Sequence, residues 1–239
     1  MKTSTLNRPF RTYFRKRRMA QFCALFDITD QDLIIDVGGL EFNWAFIPQH
    51  PHILFVNTDP DTWVKGNTCK VVGDGRRLEF ADQSFDIAYS NSVIEHVGGW
   101  EDIQAFAREI RRVAPRYYVQ TPNRWFFVET HLLTAFIHWL PFNIARHLVR
   151  YGSVWGWIRR PSQQQVDEQL RQVNLLTHAQ MRTLFPDATI HIERFLGMPK
   201  SLIAVRNGRK EVARQAVAEA GPSHPMETLE TDPIWRALQ

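Results

Sequence analysis

Leu33-Ile34-Ile35-Asp36-Val37-Gly38-Gly39 constrains the fold of this chain more than any other stretch. Apolar residues around one aspartate, running into a glycine pair, read as a buried strand that breaks into a tight loop. Without Cβ atoms such a loop can bring its backbone close to a ligand. Ile53-Leu54-Phe55-Val56-Asn57 predicts the next strand, which ends at Thr58-Asp59, about 20 residues past the loop. In open α/β sheets ligands bind at the carboxyl ends of the strands, where an acidic residue typically holds ribose hydroxyls. The pattern predicts a site for an adenosine-containing ligand.

Further strands follow at Cys69–Val72, before the turn Gly73-Asp74-Gly75, and at Ser84–Ser90. Trp100 to Val113 is the clearest helix: Ile103, Phe106, Ala107, Ile110 and Val113 recur at helical spacing. Glu101 and Asp102 open it and Arg111 and Arg112 close it, in keeping with the helix dipole. Pro115 ends that helix, and Arg116–Thr121 reads as a fifth strand. Strands alternating with helices imply a parallel sheet with right-handed crossovers. From Pro122 to about Pro161 the chain turns rich in Trp, Phe, His and Arg, which predicts a helical insertion over the strand ends. A helix near Thr177 to Phe185, with Thr177 as its N-cap, precedes two last strands, Thr189–Phe195 and Ser201–Val205. Their link is too short for a crossover helix, so the pair should be antiparallel.

With 239 residues, 44% of them hydrophobic, the chain has room for one domain with an insertion and a tail. The expected divisions are a basic N-terminal helix (1–30), a core domain (31–206) with its insertion at about 122–161, and a polar, mobile tail (207–239). Two cysteines give neither a disulfide framework nor a metal pair, which points to a reducing, cytoplasmic compartment. The longest apolar run, around Leu132 to Phe142, falls far short of the ~20 residues of a membrane span. Up to Phe26 there is no acidic residue, while Lys2, Arg8, Arg11, Arg15, Lys16, Arg17 and Arg18 are basic. Organelle presequences share that composition, but Phe10, Phe14, Phe22, Leu25 and Phe26 at roughly helical spacing favour a docked helix with a basic outer face. Such a face suits peripheral contact with an anionic membrane; the aromatic and basic interleaving of a nucleic-acid module is absent.

The five strands, their crossovers and the closing pair resemble the class I S-adenosylmethionine-dependent methyltransferases, in particular the type 11 domain. Asp36-Val37-Gly38-Gly39 resembles that family's first motif and Asp59 its ribose-binding acid. Gly73 to Asp86 is similar to the adenine-side segment and fourth strand, and Asn91 to Val97 to the stretch that follows. The resemblance implies a Rossmann-like three-layer sandwich, with a mostly parallel seven-stranded sheet and a closing antiparallel pair. It also implies S-adenosyl-L-methionine as cofactor. The cofactor-binding residues it implies are Asp36, Gly38, Gly39, Asp59, Asp74, Gly75, Ser90 and Asn91, with Asp59 on ribose and Asp74 on adenine. Leu40 and Phe42 stand where the family commonly has glycine, and side chains there would crowd the ligand or divert the loop.

Methyl transfer needs chiefly proximity, alignment and a deprotonated acceptor. Glu95, His96 and His131 are candidate acid/base residues if the acceptor is a hydroxyl. Each has a bland alternative as a local backbone partner or packed residue. The aromatics of the insertion, Trp125, Phe126, Phe127, Phe136, Trp139, Phe142, Trp155 and Trp157, read as its core, an apolar acceptor pocket, or a membrane contact. Arg146, Arg150, Arg159 and Arg160 could serve an anionic acceptor or lipid head groups. The expected activity is methyl transfer to a small-molecule or lipid-like acceptor. The alternatives are a non-catalytic cofactor- or partner-binding protein on the same fold and a nicotinamide enzyme. The nicotinamide reading lacks its G-x-G-x-x-G fingerprint, because Leu40 and Asn43 occupy the later glycine positions.

Overall fold

The computed structural model describes residues 8–129 and 134–208; side chains are described from Thr12, and that of Glu129 is not. The described residues begin with α1 (Arg8–Phe26), β1 (Leu33–Val37), the single turn α2 (Glu41–Trp44) and β2 (His52–Asn57). Next come β3 (Trp63–Lys65), β4 (Thr68–Val72), β5 (Ile87–Asn91), a 3-10 turn at Ile94–His96, α3 (Trp100–Val113) and β6 (Arg116–Pro122). The insertion holds β7 (Val128–Glu129), β8 (Thr134–Ala135), a second 3-10 turn at Ile137–Trp139, α4 (Phe142–Gly152) and α5 (Val154–Arg159). Then follow α6 (Gln163–Arg171), α7 (His178–Leu184), β9 (Thr189–Phe195) and β10 (Met198–Arg206).

The main sheet runs β3-β4-β2-β1-β5-β6-β10-β9. Strands β4, β2, β1, β5 and β6 are parallel, while β10 runs antiparallel to both β6 and β9. The sheet thus has eight strands rather than seven. The extra one, β3, pairs antiparallel with β4 through a tight turn at Gly66-Asn67, where Gly66 takes φ +59°. Trp63 packs on Phe55 and anchors this short edge.

Helical crossovers are fewer than the alternating pattern suggests. β1 reaches β2 through α2 alone, β2 reaches β4 through β3, and only β5 reaches its parallel neighbour β6 through a long helix. The loop between β4 and β5 is held instead by Arg112 of α3. Its guanidinium donates to the carbonyls of Phe80 (2.6 Å) and Leu78 (2.9 Å), and Glu109 accepts from the Leu78 amide at 2.7 Å.

Alternation along the strands divides the core in two. On one face Ile35, Val37, Leu54, Val56, Ala88 and Val119 meet α3 and α7. On the other, Ile34, Ile53, Phe55, Ile87, Tyr89 and Tyr118 meet Met19, Phe22 and Phe26 of α1, with Trp44. Phe22 sits edge-on to Trp44, Tyr89 and Tyr118. A small third cluster, Ile137, Ala145, Val149 and Val166, holds the insertion together.

α1 does not carry all its charge outward. Arg18 is buried and uses its five N–H donors on Glu193 (2.7 and 3.1 Å), Asn91 (3.0 Å), Gln120 (3.0 Å) and Ser201 (3.2 Å). Lys200 adds a second cation on Glu193 at 3.0 Å. Burial opposes ionisation of Glu193, but Arg18 outweighs it and holds the carboxyl below its ordinary range. His131, the residues before Arg8 and the tail beyond Gly208 lie outside the described residues.

Candidate functional site

β1 has β2 on one side and β5 on the other, so the order in which parallel strands are added to the sheet reverses between β1 and β5. At that switch point the loops after neighbouring strands part and leave a crevice. A cleft of about 390 Å³ opens there, lined by Gly38 after β1, Asn57 and Thr58 after β2, Gly73 to Arg76 after β4, and Ser92, Val93, His96 and Val97 after β5. Phe106 of α3 forms its wall.

Glycines make this cleft. Gly38 takes φ +74°, and a Cβ there would sit 2.6 Å from both Val93 methyls. At Gly75 a Cβ would lie 2.6 Å from Phe106 Cε2 and 2.7 Å from Val37 Cγ1, and at Gly73 2.7 Å from Val56. The backbone therefore borders the cleft where side chains would fill it. Asp74 is held by Arg76, whose guanidinium lies 2.6 Å from Asp74 Oδ2 and 2.9 Å from Asp102 Oδ1. Arg76 keeps the Asp74 carboxyl below its ordinary range.

Comparison with known proteins agrees with this geometry. Residues 56–116 match the family described as methyltransferase domain. An S-adenosylmethionine-dependent methyltransferase from Mesorhizobium loti is 14% identical, with a TM-score of 0.52, covering 80% of this chain and 98% of its own. A protein of Pyrococcus horikoshii OT3 is 15% identical, with a TM-score of 0.51, covering 84% and 91%. No curated protein matches the chain in sequence. The chain has the Rossmann-like fold of class I methyltransferases.

Within this fold the structure brings Gly38, Asp74, Gly75 and His96 together at the cleft and leaves the other described candidates outside its lining. Asp59 lies beyond the end of β2 and turns to Lys70, which holds its carboxyl below the ordinary range. The polar residues that β2 delivers to the cleft are Asn57 and Thr58, which sequence reasoning passed over. Asp36 is wholly buried on the α1 face, with Trp44 Nε1 donating to Oδ2 at 2.8 Å. A Cβ on Gly39 would fall 1.9 Å from that carboxylate, so this glycine makes room for Asp36 rather than for a ligand. Ser90 donates to the Val37 carbonyl at 3.0 Å, fixing the loop from below, and Asn91 points to Arg18. Leu40 is 55% exposed, and neither it nor Phe42 lines the cleft, so neither side chain crowds it.

Glu95 is buried away from the cleft lining and accepts from Thr121 Oγ1 at 3.0 Å. His96 does line it, and its Nδ1 lies 3.3 Å from the Gln172 carbonyl. Asn174 binds the same turn, with its amide 2.7 Å from the Glu95 carbonyl and its Nδ2 2.7 Å from that of Gly98. Asn174 also lines a second cavity of about 250 Å³, with Arg124, His138, Phe142, Leu170 and Val173 among its other walls.

The glycine cradle lets backbone approach a ligand closely, and the residues present fit S-adenosyl-L-methionine. Gly38 and Gly75 permit close backbone approach, while Asn57, Thr58 and Asp74 offer polar groups.

Proposed function

We propose that this protein transfers a methyl group from S-adenosyl-L-methionine to a small-molecule or lipid-like acceptor. The observation that carries the reading is the cleft at the switch point, kept open by Gly38, Gly73 and Gly75. When bound, the cofactor supplies an electrophilic methyl group on a sulfonium sulfur. The chain supplies position: Val37, Val56, Val93, Val97 and Phe106 give the cleft an apolar wall opposite its polar groups. His96 is the histidine of the lining; a hydrogen on Nδ1 toward Gln172 leaves the ring's basic lone pair on Nε2. That placement suits proton removal from a hydroxyl acceptor. The second cavity, lined by Asn174, supports an acceptor with an apolar body and an anionic group, the latter facing Arg124.

One observation favours the rival reading of cofactor binding without transfer. Asp59 is engaged by Lys70, and β2 ends on an uncharged Asn57. Calorimetric titration with S-adenosylhomocysteine tests both. We expect micromolar binding, about −8 kcal/mol, weakened about tenfold in Asn57→Ala; absence of heat with the native protein would sink both readings. Methylated product from an acceptor screen would then remove the non-catalytic one.

A further inference from the structure

The insertion exposes apolar side chains along one line. On α4, Ile144, Leu148 and Tyr151 recur one turn apart and are 49%, 48% and 71% exposed, while Ala145 and Val149 face inward. Trp157 on α5 is 71% exposed. Beside α4, Trp125, Phe136 and Trp139 form a half-exposed ring cluster, with Phe136 and Trp139 centroids 5.1 Å apart. Phe136 adopts φ +61°, a left-handed conformation that costs a non-glycine residue roughly 1 kcal/mol, yet its ring stands in solvent. Packing among the described residues accounts for none of these exposed faces.

Charge decides what covers them. From Thr130 to Val166 the chain has no acidic residue, while Arg146, Arg150, Arg159 and Arg160 fall in that span. Arg146 is used internally on Asp167, but Arg150, Arg159 and Arg160 are exposed around the apolar line. A second copy of the chain would bring these arginines against their own images across a two-fold axis. A layer with an apolar interior and an anionic surface meets both requirements at once. Tryptophan and tyrosine suit its interfacial region, and arginines reach its head groups with their stems along the apolar edge.

We propose that this face of the insertion, centred on Ile144, Leu148, Tyr151 and Trp157, docks the protein on anionic membrane surfaces. Docking is read without cofactor and so stands apart from the methyl-transfer reading. Flotation of the full chain with vesicles tests it. The native protein should float with vesicles containing phosphatidylglycerol, more weakly with phosphatidylcholine alone, and lose binding as salt rises. Leu148→Ser/Trp157→Ser should abolish flotation, and Arg159→Gln/Arg160→Gln should lower it about tenfold on the anionic vesicles only. All four positions are exposed and Trp157→Ser gives up one bond, from the indole to the Tyr151 carbonyl, so each variant should stay folded with a thermal midpoint close to the native one. Native protein that fails to float, or variants that float like it, would overturn the proposal. So would a concentration-dependent dimer that Leu148→Ser dissolves, which would assign the face to a second copy.

Discussion

Asp36 lies wholly inside the interface between the sheet and α1, where the Trp44 indole donates to its carboxyl group. Burial raises its pKa from 3.8 to about 7, with the Trp44 bond pulling the other way. The folded chain therefore holds this proton more tightly than the unfolded chain. Stability from this group is full below 3.8 and is lost progressively as pH rises to about 7. Asp36→Asn keeps the Trp44 acceptor and removes the charge. Urea unfolding should show the variant more stable than native by about 2–4 kcal/mol at pH 8, since each tenfold change in proton affinity is worth about 1.4 kcal/mol. The gain should shrink steadily toward acid pH; an equal gain at every pH would show that charge burial is not its source. Two residues decide why the ribose candidate fell outside the cleft. Sequence places the end of β2 near Asp59, but the strand stops at Asn57, and Lys70 is positioned to hold the carboxylate that follows. A strand boundary two residues off changes which side chain lines the cleft.

At the scale of elements, α1 is fixed to the sheet by a buried ion network as much as by its aromatics. Arg18→Met would leave Glu193 ionised and buried with Lys200 as its remaining cation, at a cost of about 3–5 kcal/mol in denaturant unfolding. Arg18→Met/Glu193→Gln/Lys200→Met should recover much of that loss, because no stranded buried charge of either sign remains; equal losses would mean that packing of the arginine stem dominates. The sequence did hold a sign of this: Phe14, Arg18, Phe22 and Phe26 share one helical face, so Arg18 interrupts an apolar stripe. α3 was legible because five apolar positions repeat at its period, and β9 and β10 because a short link joins two apolar runs. β3 and α6 were not. β3 is three residues long and mostly exposed, and α6 buries only Val166, so neither offers a periodic face to read. The capping box of Ser162 with Gln165 was the available signal for α6.

Across the whole molecule, stability is unevenly spread. Two large clusters grip the sheet from either side, while the insertion depends on a small one built around Val149 and Val166. Amide exchange should therefore open α4 to α6 at a lower free energy than β1, β2 and β5. Val149→Ala, at a fully buried position, should speed exchange across α4 to α6 and leave that of the central strands unchanged. Uniform acceleration would mean that the insertion and sheet unfold as one unit. Glu193, the residue that anchors Arg18, stands 175 positions further along the chain. During synthesis α1 leaves the ribosome well before its counter-ion, which is made only after most of the sheet, the cleft and the insertion have emerged. At roughly 5–20 residues per second, Met19, Phe22 and Phe26 wait on the order of ten seconds or more for their final surroundings. This early helix is thus locked late, and newly made chains carry an uncovered apolar segment for a nascent-chain chaperone to hold.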